Sequence, residues 1–391
     1  MDLRQSLEDA LAANPDDAAA HNAYADHLTE KGDPRGEFIQ VQLALEDFSR
    51  TSEERAKLAQ REEELFQQHG RQWLGDLAPY LLDQKGVADY YLKANRGFKF
   101  RFARGWLDTL QVIDLDVPFA RALAKAPLTR LLRVLAVDQV DEEGELDASE
   151  GPLADNLLAA EALLLRAPFL SNLRILQWGE LDQDDEYPTC HMTGEGAGEL
   201  VGKLPRIEEL YLLAHRPPTA AVFAMPLPHL RLLQVDHGHV YPLERLAENA
   251  SLGCLTHLLC YPHALEPGEE PYIRLPQVRA VVNSPHLKSL THLRLRLTDA
   301  GDAGVQEIVQ SGVLKRLKIL DLMHGRITDA GARALAASPD VRNLELLDLS
   351  FNRLTPAGID ALLKLGIQVL TRDQHAADVE DEEYLYHGDI E

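Results

Sequence analysis

Residues 344–365, LELLDLSFNRLTPAGIDALLKL, carry the pattern that decides the fold. Leu347 and Leu349 belong to a short alternation of apolar and polar residues, which is typical of a strand that buries one face. Asn352 stands in the turn that follows, and Thr355 precedes a segment with helical apolar spacing, where its hydroxyl can cap the helix. Strand, turn and helix form one unit, which cannot bury its apolar face without a neighbour.

The same unit occurs one period earlier, in residues 317–338, LKILDLMHGRITDAGARALAAS. Thr328 takes the capping place there, and Leu317 lies 27 positions before Leu344. Weaker copies extend this pattern towards the N-terminus, so the chain is predicted to be built from stacked repeats. The inward strand positions are predicted to be Leu107, Leu110 and Val112; Leu132, Leu135 and Val137; Leu173, Leu176 and Trp178; Ile207, Leu210 and Leu212; Leu230, Leu233 and Val235; Leu255, Leu258 and Cys260; Leu290, Leu293 and Leu295; Leu317, Leu320 and Leu322; Leu344, Leu347 and Leu349; and, in a last short strand, Val369 and Leu370.

This pattern resembles the leucine-rich repeat, in the longer form of the ribonuclease-inhibitor class. The resemblance implies an α/β solenoid over residues 96–372, with a curved parallel sheet and helices on its convex side. Long intervals between copies predict inserted loops at 141–156, 182–194 and near 263–273. Only Asn352 occupies the asparagine position whose side chain bonds backbone groups at the turn, so the solenoid is predicted to be irregular.

Both ends of such a solenoid need covering. Residues 96–112, RGFKFRFARGWLDTLQV, predict a hairpin that turns around 103–105 and shields the first repeat. Residues 373–391 form an acidic tail, which either docks or stays disordered; the residues available for docking are Tyr384, Leu385 and Tyr386.

Residues 1–95 are predicted to be helical, with helices from Leu3, after Asp16 or Asp17, from about Arg35, and in a charged stretch that ends at Gly70. Residues 14–46 resemble the bacterial repeat-companion domain. That resemblance implies a bacterial protein with repeats downstream and no established catalytic activity. The family usually has Trp at the position of His27 and an acidic residue at Thr29. The matching residues are Pro15, Asp16, Asp17, Tyr24, Ala25, Asp26, Leu28, Glu30, Gly32, Asp33, Arg35, Gly36, Glu37, Phe38 and Ile39.

The charged residues of this segment could form a chemical site. Asp26 and Glu30 are four positions apart, so they share a helix face and could bind a cation together. The structural alternative, which we favour, is that Asp26 or Glu37 pairs with Arg35 and that Asp33 caps the third helix.

The composition excludes several classes of partner. The 391 residues carry a formal net charge of -24, so nucleic acid and anionic membranes would be repelled and a basic partner attracted. The chain starts without an apolar signal core and contains no apolar stretch long enough to span a membrane. Three irregularly spaced cysteines are not a disulfide framework. The cytoplasm is the predicted location.

No catalytic, cofactor-binding or metal-binding residue is predicted. Cys190 and His191 could join Cys254 and Cys260 in a zinc site, but the spacing of zinc motifs is missing. No motif of a hydrolase, phosphate-binding loop or metalloprotease occurs. Histidines become frequent between residues 215 and 286 without recognised ligand spacing, and they are interpreted as solvated or facing a partner: His215, His229, His237, His239, His257, His263 and His286.

Function is therefore predicted on the concave face, where strand residues between the inward positions point outward. This face is expected to bind a protein partner as a scaffold, regulator or inhibitor, with Arg294 and Arg296 beside Asp321 and Asp348 for polar specificity. Regulation of a GTPase or another enzyme is an alternative, and an enzyme site in residues 1–95 or the inserted loops is a third. The pattern names no individual partner and no oligomeric state. The predicted contact residues, including the apolar ones expected to be exposed, are Tyr211, Leu213, Gln234, Asp236, Leu259, Tyr261, Arg294, Arg296, Asp321, Met323, Asp348 and Phe351.

Overall fold

The computed structural model describes residues 2–93, 96–147, 157–180, 192–263 and 272–375. The chain divides into two compact units: unit 1 comprises residues 1–176 and 203–206, and unit 2 comprises residues 177–202 and 207–391. The predicted boundaries at residues 95 and 372 stay predictions. Outside the described residues lie Cys190, His191, Tyr384, Leu385 and Tyr386.

Unit 1 begins with helices, as the sequence predicts. Its helices are α1 (Leu3–Ala13), α2 (Ala18–Glu30), α3 (Arg35–Leu45), α4 (Ser52–Leu74), α5 (Ala78–Leu81), α6 (Asp89–Lys93), α7 (Val117–Lys125) and α8 (Ala159–Leu164). Helix α2 starts where the Asp17 carboxylate accepts hydrogen bonds from the backbone N–H groups of Ala19 at 2.9 Å and Ala20 at 3.1 Å. These bonds satisfy two donors that have no partner within the helix.

Helix α4 runs four residues beyond its predicted end. Gly70 lies inside the helix, where a Cβ atom would come within 2.8 Å of the Phe66 ring. The glycine is needed because the ring crowds the backbone, and the prediction that it ends the helix is wrong. The helix ends at Leu74, before Gly75 takes a positive φ of 53°.

A hairpin opens the sheet of unit 1, and the prediction of this hairpin is confirmed. The strands are β1 (Lys99–Ala103), β2 (Trp106–Leu115), β3 (Val134–Val140) and β4 (Ile175–Gly179), whose last three residues belong to unit 2. Strands β1 and β2 are antiparallel, and the turn between them holds Arg104 and Gly105 at positive φ. Strand β3 continues beside β2 in parallel orientation, with Leu110 opposite Leu135.

Unit 2 is a succession of parallel strands, each beside the next in chain order. The strands are β5 (Glu209–Leu213), β6 (Leu232–Gly238), β7 (His257–Pro262), β8 (His292–Leu295), β9 (Ile319–Asp321), β10 (Leu346–Asp348) and β11 (Gln368–Leu370). The intervening helices are α9 (Ala197–Val201), α10 (Thr219–Val222), α11 (Leu243–Glu248), α12 (Leu275–Val282), α13 (Gly301–Ser311), α14 (Asp329–Ala337) and α15 (Pro356–Leu363). Among the described residues, no helix is long and apolar enough to cross a membrane.

The predicted inward positions form the core. From Leu107 to Leu349, every one of them is at most 3% exposed. In the last strand, Val369 and Leu370 are half-buried, because no further repeat follows them in the described chain. Burying a leucine side chain contributes about 1.5–3 kcal/mol, so the inward positions dominate the stability of the repeats.

The predicted turn chemistry of the last two repeats is confirmed. The Asn352 amide donates to the backbone oxygens of Leu322 at 2.9 Å and Ser350 at 3.1 Å, and its oxygen accepts from the Ile327 N–H at 3.0 Å. A side chain thus closes the turn between neighbouring repeats. Gly325 leaves room for this asparagine, since a Cβ there would lie 2.7 Å from the Asn352 oxygen.

A carboxylate of each preceding repeat supports the threonine cap of the next one. Thr328 caps α14 by accepting from the Ala330 N–H at 3.2 Å. Asp302 accepts from the N–H of Thr328 at 2.9 Å, from its hydroxyl at 2.6 Å, and from the N–H of Gly331 at 2.9 Å. Asp329 accepts from Thr355 in the same way, at 2.9 and 2.7 Å. These bonds fix the spacing between consecutive helices.

Candidate protein-binding face

The face of unit 2 opposite the inward leucines, called the outward face below, contains the predicted contact residues. The first predicted row lies in register across six strands, because each member is the sheet neighbour of the next. This row consists of Tyr211, Gln234, Leu259, Arg294, Asp321 and Asp348. The sequence therefore placed these side chains side by side correctly.

The expectation that the whole predicted set faces solvent is wrong. Four of its members are half-buried and accessible: Tyr211, Gln234, Leu259 and Arg294. The other eight are buried, with exposures between 1% and 7%: Leu213, Asp236, Tyr261, Arg296, Asp321, Met323, Asp348 and Phe351.

Side chains at the strand ends close over the second row, which is why it is buried. The Arg296 guanidinium lies 5.0 Å from the Tyr261 ring centroid, and the His324 ring lies 6.1 Å from Tyr261 and 4.4 Å from Phe351. The regular alternation ends where the chain turns after each strand. The turn residues with left-handed backbone, uncommon for residues other than glycine, are His237, Leu297, His324 and Phe351, each two positions beyond the last inward residue.

The charged residues predicted to give polar specificity bind one another instead. One carboxylate oxygen of Asp321 forms ion pairs with Arg294 Nε at 3.0 Å and with Arg296 at 2.9 Å. Its second oxygen accepts a hydrogen bond from the Met323 N–H at 3.0 Å. Asp348 lies next to Asp321 in the sheet. Burial and the neighbouring Asp321 carboxylate raise the pKa of Asp348. Within this group, Arg294 is the half-buried member with access to a partner.

A further accessible row lies two residues earlier in each strand, outside the predicted set. Its half-buried members are in register from β5 to β10: Glu209, Leu232, His257, His292, Ile319 and Leu346. The same alternation that revealed the first row could have found this one, because both lie on one face. These six residues and the four half-buried ones named above are called the accessible rows below.

Several side chains of the accessible rows are held in place before any partner binds. The Tyr211 hydroxyl donates to Glu209 at 3.1 Å, and burial together with this carboxylate raises the pKa of Tyr211 to about 12. Gln234 donates to Asp236 at 2.7 Å. His257 and His292 stack with their centroids 3.8 Å apart. Restrained side chains lose less conformational entropy when a partner binds.

Comparison with protein families identifies the repeats. The family described as "Leucine Rich repeat" matches residues 315–336 and 342–363, which are the two units with the clearest strand, turn and helix. Both units are leucine-rich repeats. The buried leucine positions and the repeated strand and helix order extend this architecture to the weaker copies. No curated protein matches the chain.

Solved structures with partial similarity include proteins from three bacteria. A protein from Bacteroides fragilis has a TM-score of 0.47 at 17% identity, over 66% of this chain and 70% of that chain. An internalin from Listeria monocytogenes has a TM-score of 0.32 at 16% identity, over 81% and 94%. A leucine-rich-repeat protein from Leptospira interrogans has a TM-score of 0.28 at 16% identity, over 68% and 72%.

Arg35 is buried and does not pair with Asp26 or Glu37, so the predicted ion pair is wrong. Its guanidinium lies 4.3 Å from the Trp106 ring centroid, and its Nε donates to the Gly105 oxygen at 2.8 Å. Asp33 accepts from the Arg35 N–H at 3.0 Å, which confirms its predicted role at the start of α3. The arginine therefore fastens the N-terminal helices to the β1–β2 hairpin.

The remaining charged residues of the N-terminal segment also make structural contacts. Asp26 accepts from Gln40 at 2.9 Å, and Glu37 forms an ion pair with Arg61 at 2.7 Å. Glu30 is exposed. These contacts favour the structural alternative over a joint cation site. The resemblance to the repeat-companion domain stays a prediction.

The two cysteines in the described chain lie in different environments. Cys254 is exposed and Cys260 is buried, and both are free thiols. Burial raises the pKa of the Cys260 thiol well above its ordinary value, so this cysteine is a core residue rather than a thiolate ligand.

Three histidines that were not predicted to form a site lie together at the ends of three consecutive strands. His215, His239 and His263 are brought together in unit 2, although no ligand spacing was recognised among them in the sequence. A signal was present: they are spaced by 24 residues and again by 24, close to one repeat length. Equal spacing at the repeat period places side chains at equivalent positions of neighbouring repeats.

Proposed function

We propose that this leucine-rich-repeat protein is a non-enzymatic scaffold or regulator that binds another protein on the accessible rows of unit 2. The observation that carries the proposal is the register of ten half-buried side chains in two adjacent rows of one sheet. Stacked repeats offer extended surfaces of this kind for binding.

The composition of the accessible rows supports a protein ligand. Tyr211, Leu232, Leu259, Ile319 and Leu346 supply apolar and aromatic contact area. Tyrosine and arginine are enriched among the side chains that dominate the binding energy at protein interfaces, while apolar neighbours add buried area and exclude water. The polar members are Glu209, Gln234, His257, His292 and Arg294.

Charge and chemistry narrow the class of partner. The net charge of -24 favours a basic protein surface and disfavours nucleic acid. The proposal that the protein acts in the cytoplasm is supported by the free thiols of Cys254 and Cys260. Regulation of a GTPase and catalysis gain no specific observation from the described residues.

The proposal is tested by affinity capture from native cell extract with the full chain. Tyr211→Ala/Leu259→Ala removes two large side chains from the accessible rows, and Gln306→Ala/Gln310→Ala changes exposed residues on α13 as a control. Tyr261 is unsuitable because it is only 2% exposed and its loss would disturb packing. We expect a protein that the wild type and the control both retain and that the first variant loses. An identical captured set for all three chains would contradict the proposal.

A further inference from the structure

Three imidazoles from successive repeats meet in unit 2. His215 follows β5, His239 follows β6 and His263 follows β7. The ring centroids are 6.2 Å apart for His215 and His239, 5.2 Å for His215 and His263, and 4.4 Å for His239 and His263. All three residues are half-buried, so the cluster is open to an ion from solvent.

The ligand geometry suits a metal ion. One nitrogen from each histidine lies within 4.8 Å of the other two, and within the described part of the chain no other group of three or more His, Cys, Asp or Glu residues is so placed. Tetrahedral zinc with Zn–N distances of about 2.0–2.1 Å needs nitrogens roughly 3.4 Å apart. Modest side-chain rotation shortens the distances between the three nitrogens from at most 4.8 Å to the roughly 3.4 Å that zinc needs.

The backbone holds the first and last of these histidines in place. The His215 N–H donates to the Met192 oxygen at 2.8 Å, and the His215 oxygen accepts from the Gly194 N–H at 2.7 Å. The His263 N–H donates to the Gly238 oxygen at 3.1 Å. The fold therefore aligns the ligands through hydrogen bonds that do not depend on an ion.

We propose that His215, His239 and His263 bind one divalent transition-metal ion, Zn²⁺. Imidazole nitrogen is a preferred ligand of zinc, and three protein ligands leave a fourth position for water or a carboxylate. The negative charge of the chain raises the local concentration of cations. The bound ion links three consecutive repeats, next to the end of the sheet that carries the accessible rows.

The test uses the full chain, stripped of metal by a chelator and titrated with ZnCl₂ alone. Isothermal titration calorimetry gives the Kd, and metal analysis after desalting gives the stoichiometry. We expect one Zn²⁺ per chain. We expect His215→Ala, His239→Ala and His263→Ala each to raise the Kd at least about 100-fold, since even mutation of a residue behind a ligand costs roughly 10–100-fold.

Two control variants locate the ion. His229→Ala/His286→Ala removes two imidazoles of unit 2 that lie outside the cluster, and Cys190→Ser/His191→Ala removes the pair considered from the sequence. Both are expected to bind Zn²⁺ like the wild type. Circular dichroism without metal shows that every variant is folded before its Kd is compared.

Cobalt substitution tests the ligand type without any variant. Co²⁺ bound to three imidazoles gives visible d–d bands without a thiolate-to-cobalt charge-transfer band. The proposal is overturned if the wild type retains no Zn²⁺, if the three cluster variants bind like the wild type, if Cys190→Ser/His191→Ala alone abolishes binding, or if the thiolate band appears.

Discussion

The imidazole of His257 stacks on that of His292, with the ring planes inclined by only 18°. Each ring uses its Nδ1 in a 2.8 Å hydrogen bond with the hydroxyl of the threonine before it, Thr256 or Thr291. Burial lowers the pKa of both histidines, and the pKa of His292 is lowered further by His257. Folding therefore favours the neutral form of both rings, which lie in the middle of the accessible rows.

The stacked His257 and His292 should make the stability of the fold depend on pH. Because the pKa of each ring is lowered by folding, the unfolded chain takes up protons below pH about 6.5 that the folded chain does not. The free energy of unfolding should fall as the pH drops below that value. His257→Gln/His292→Gln should weaken this dependence in urea unfolding between about pH 7.5 and 5.5. His229→Gln/His286→Gln is the control, and equal pH slopes in the wild type and both variants would contradict the prediction.

The buried Glu161 should give the free energy of unfolding a pH dependence of the opposite sign. Its side chain is 1% exposed, and burial raises its pKa to about 7. The folded chain therefore keeps a proton that the unfolded chain has already released, so the stabilisation is complete below pH about 4.5 and is lost as the pH rises through 7. Glu161→Gln should be more stable than the wild type by on the order of 1–3 kcal/mol at pH 8 and about equal at pH 4.5. The exposed control Glu248→Gln should show no such gain in stability between pH 4.5 and pH 8.

Asp302 should be a major contributor to repeat stacking. Its carboxylate accepts three hydrogen bonds from Thr328 and Gly331 of the next repeat. Asp302→Ala removes all of them and should lower the free energy of unfolding by about 2–3 kcal/mol, as expected for bonds to a charged acceptor. Urea unfolding measures this loss. Asp360→Ala, at an exposed position of α15, should change stability little; equal effects of the two variants would refute this assignment.

Arg35→Lys should weaken the attachment of the N-terminal helices. The substitution keeps the charge but loses the planar group over Trp106 and the Nε bond to Gly105. A loss of about 1–3 kcal/mol and a change in the near-ultraviolet circular dichroism of tryptophan are expected. Arg50→Lys, on an exposed arginine, is the matched control. A variant indistinguishable from the wild type would show that the contact contributes nothing.

The repeat architecture was predictable because it depends on local spacing. Leu347 and Leu349 alternate within one strand, and the same alternation recurs in unit after unit. Asn352, Thr328 and Thr355 bond groups near them in the chain or in the preceding repeat, so residue type and position were enough to predict their roles.

The accessible surface was only partly predictable. Tyr261 and Phe351 stand at outward positions of the sequence pattern, but contacts with Arg296 and His324 from other repeats bury them. Arg35 was likewise assigned to nearby carboxylates, whereas its partners lie about seventy positions away in the hairpin. Such contacts depend on the paths of turns between repeats, which apolar periodicity does not determine.

The most direct test of whether a protein binds the accessible rows is site-specific photo-crosslinking in native cells. A photo-reactive amino acid replaces Leu259 in one variant and Gln306, on the exposed surface of α13, in another. We expect a defined protein to be crosslinked from position 259 and not from position 306. We also expect that adding Tyr211→Ala to the first variant reduces the yield. Crosslinking of the same proteins from both positions, or only from position 306, would contradict binding on the accessible rows.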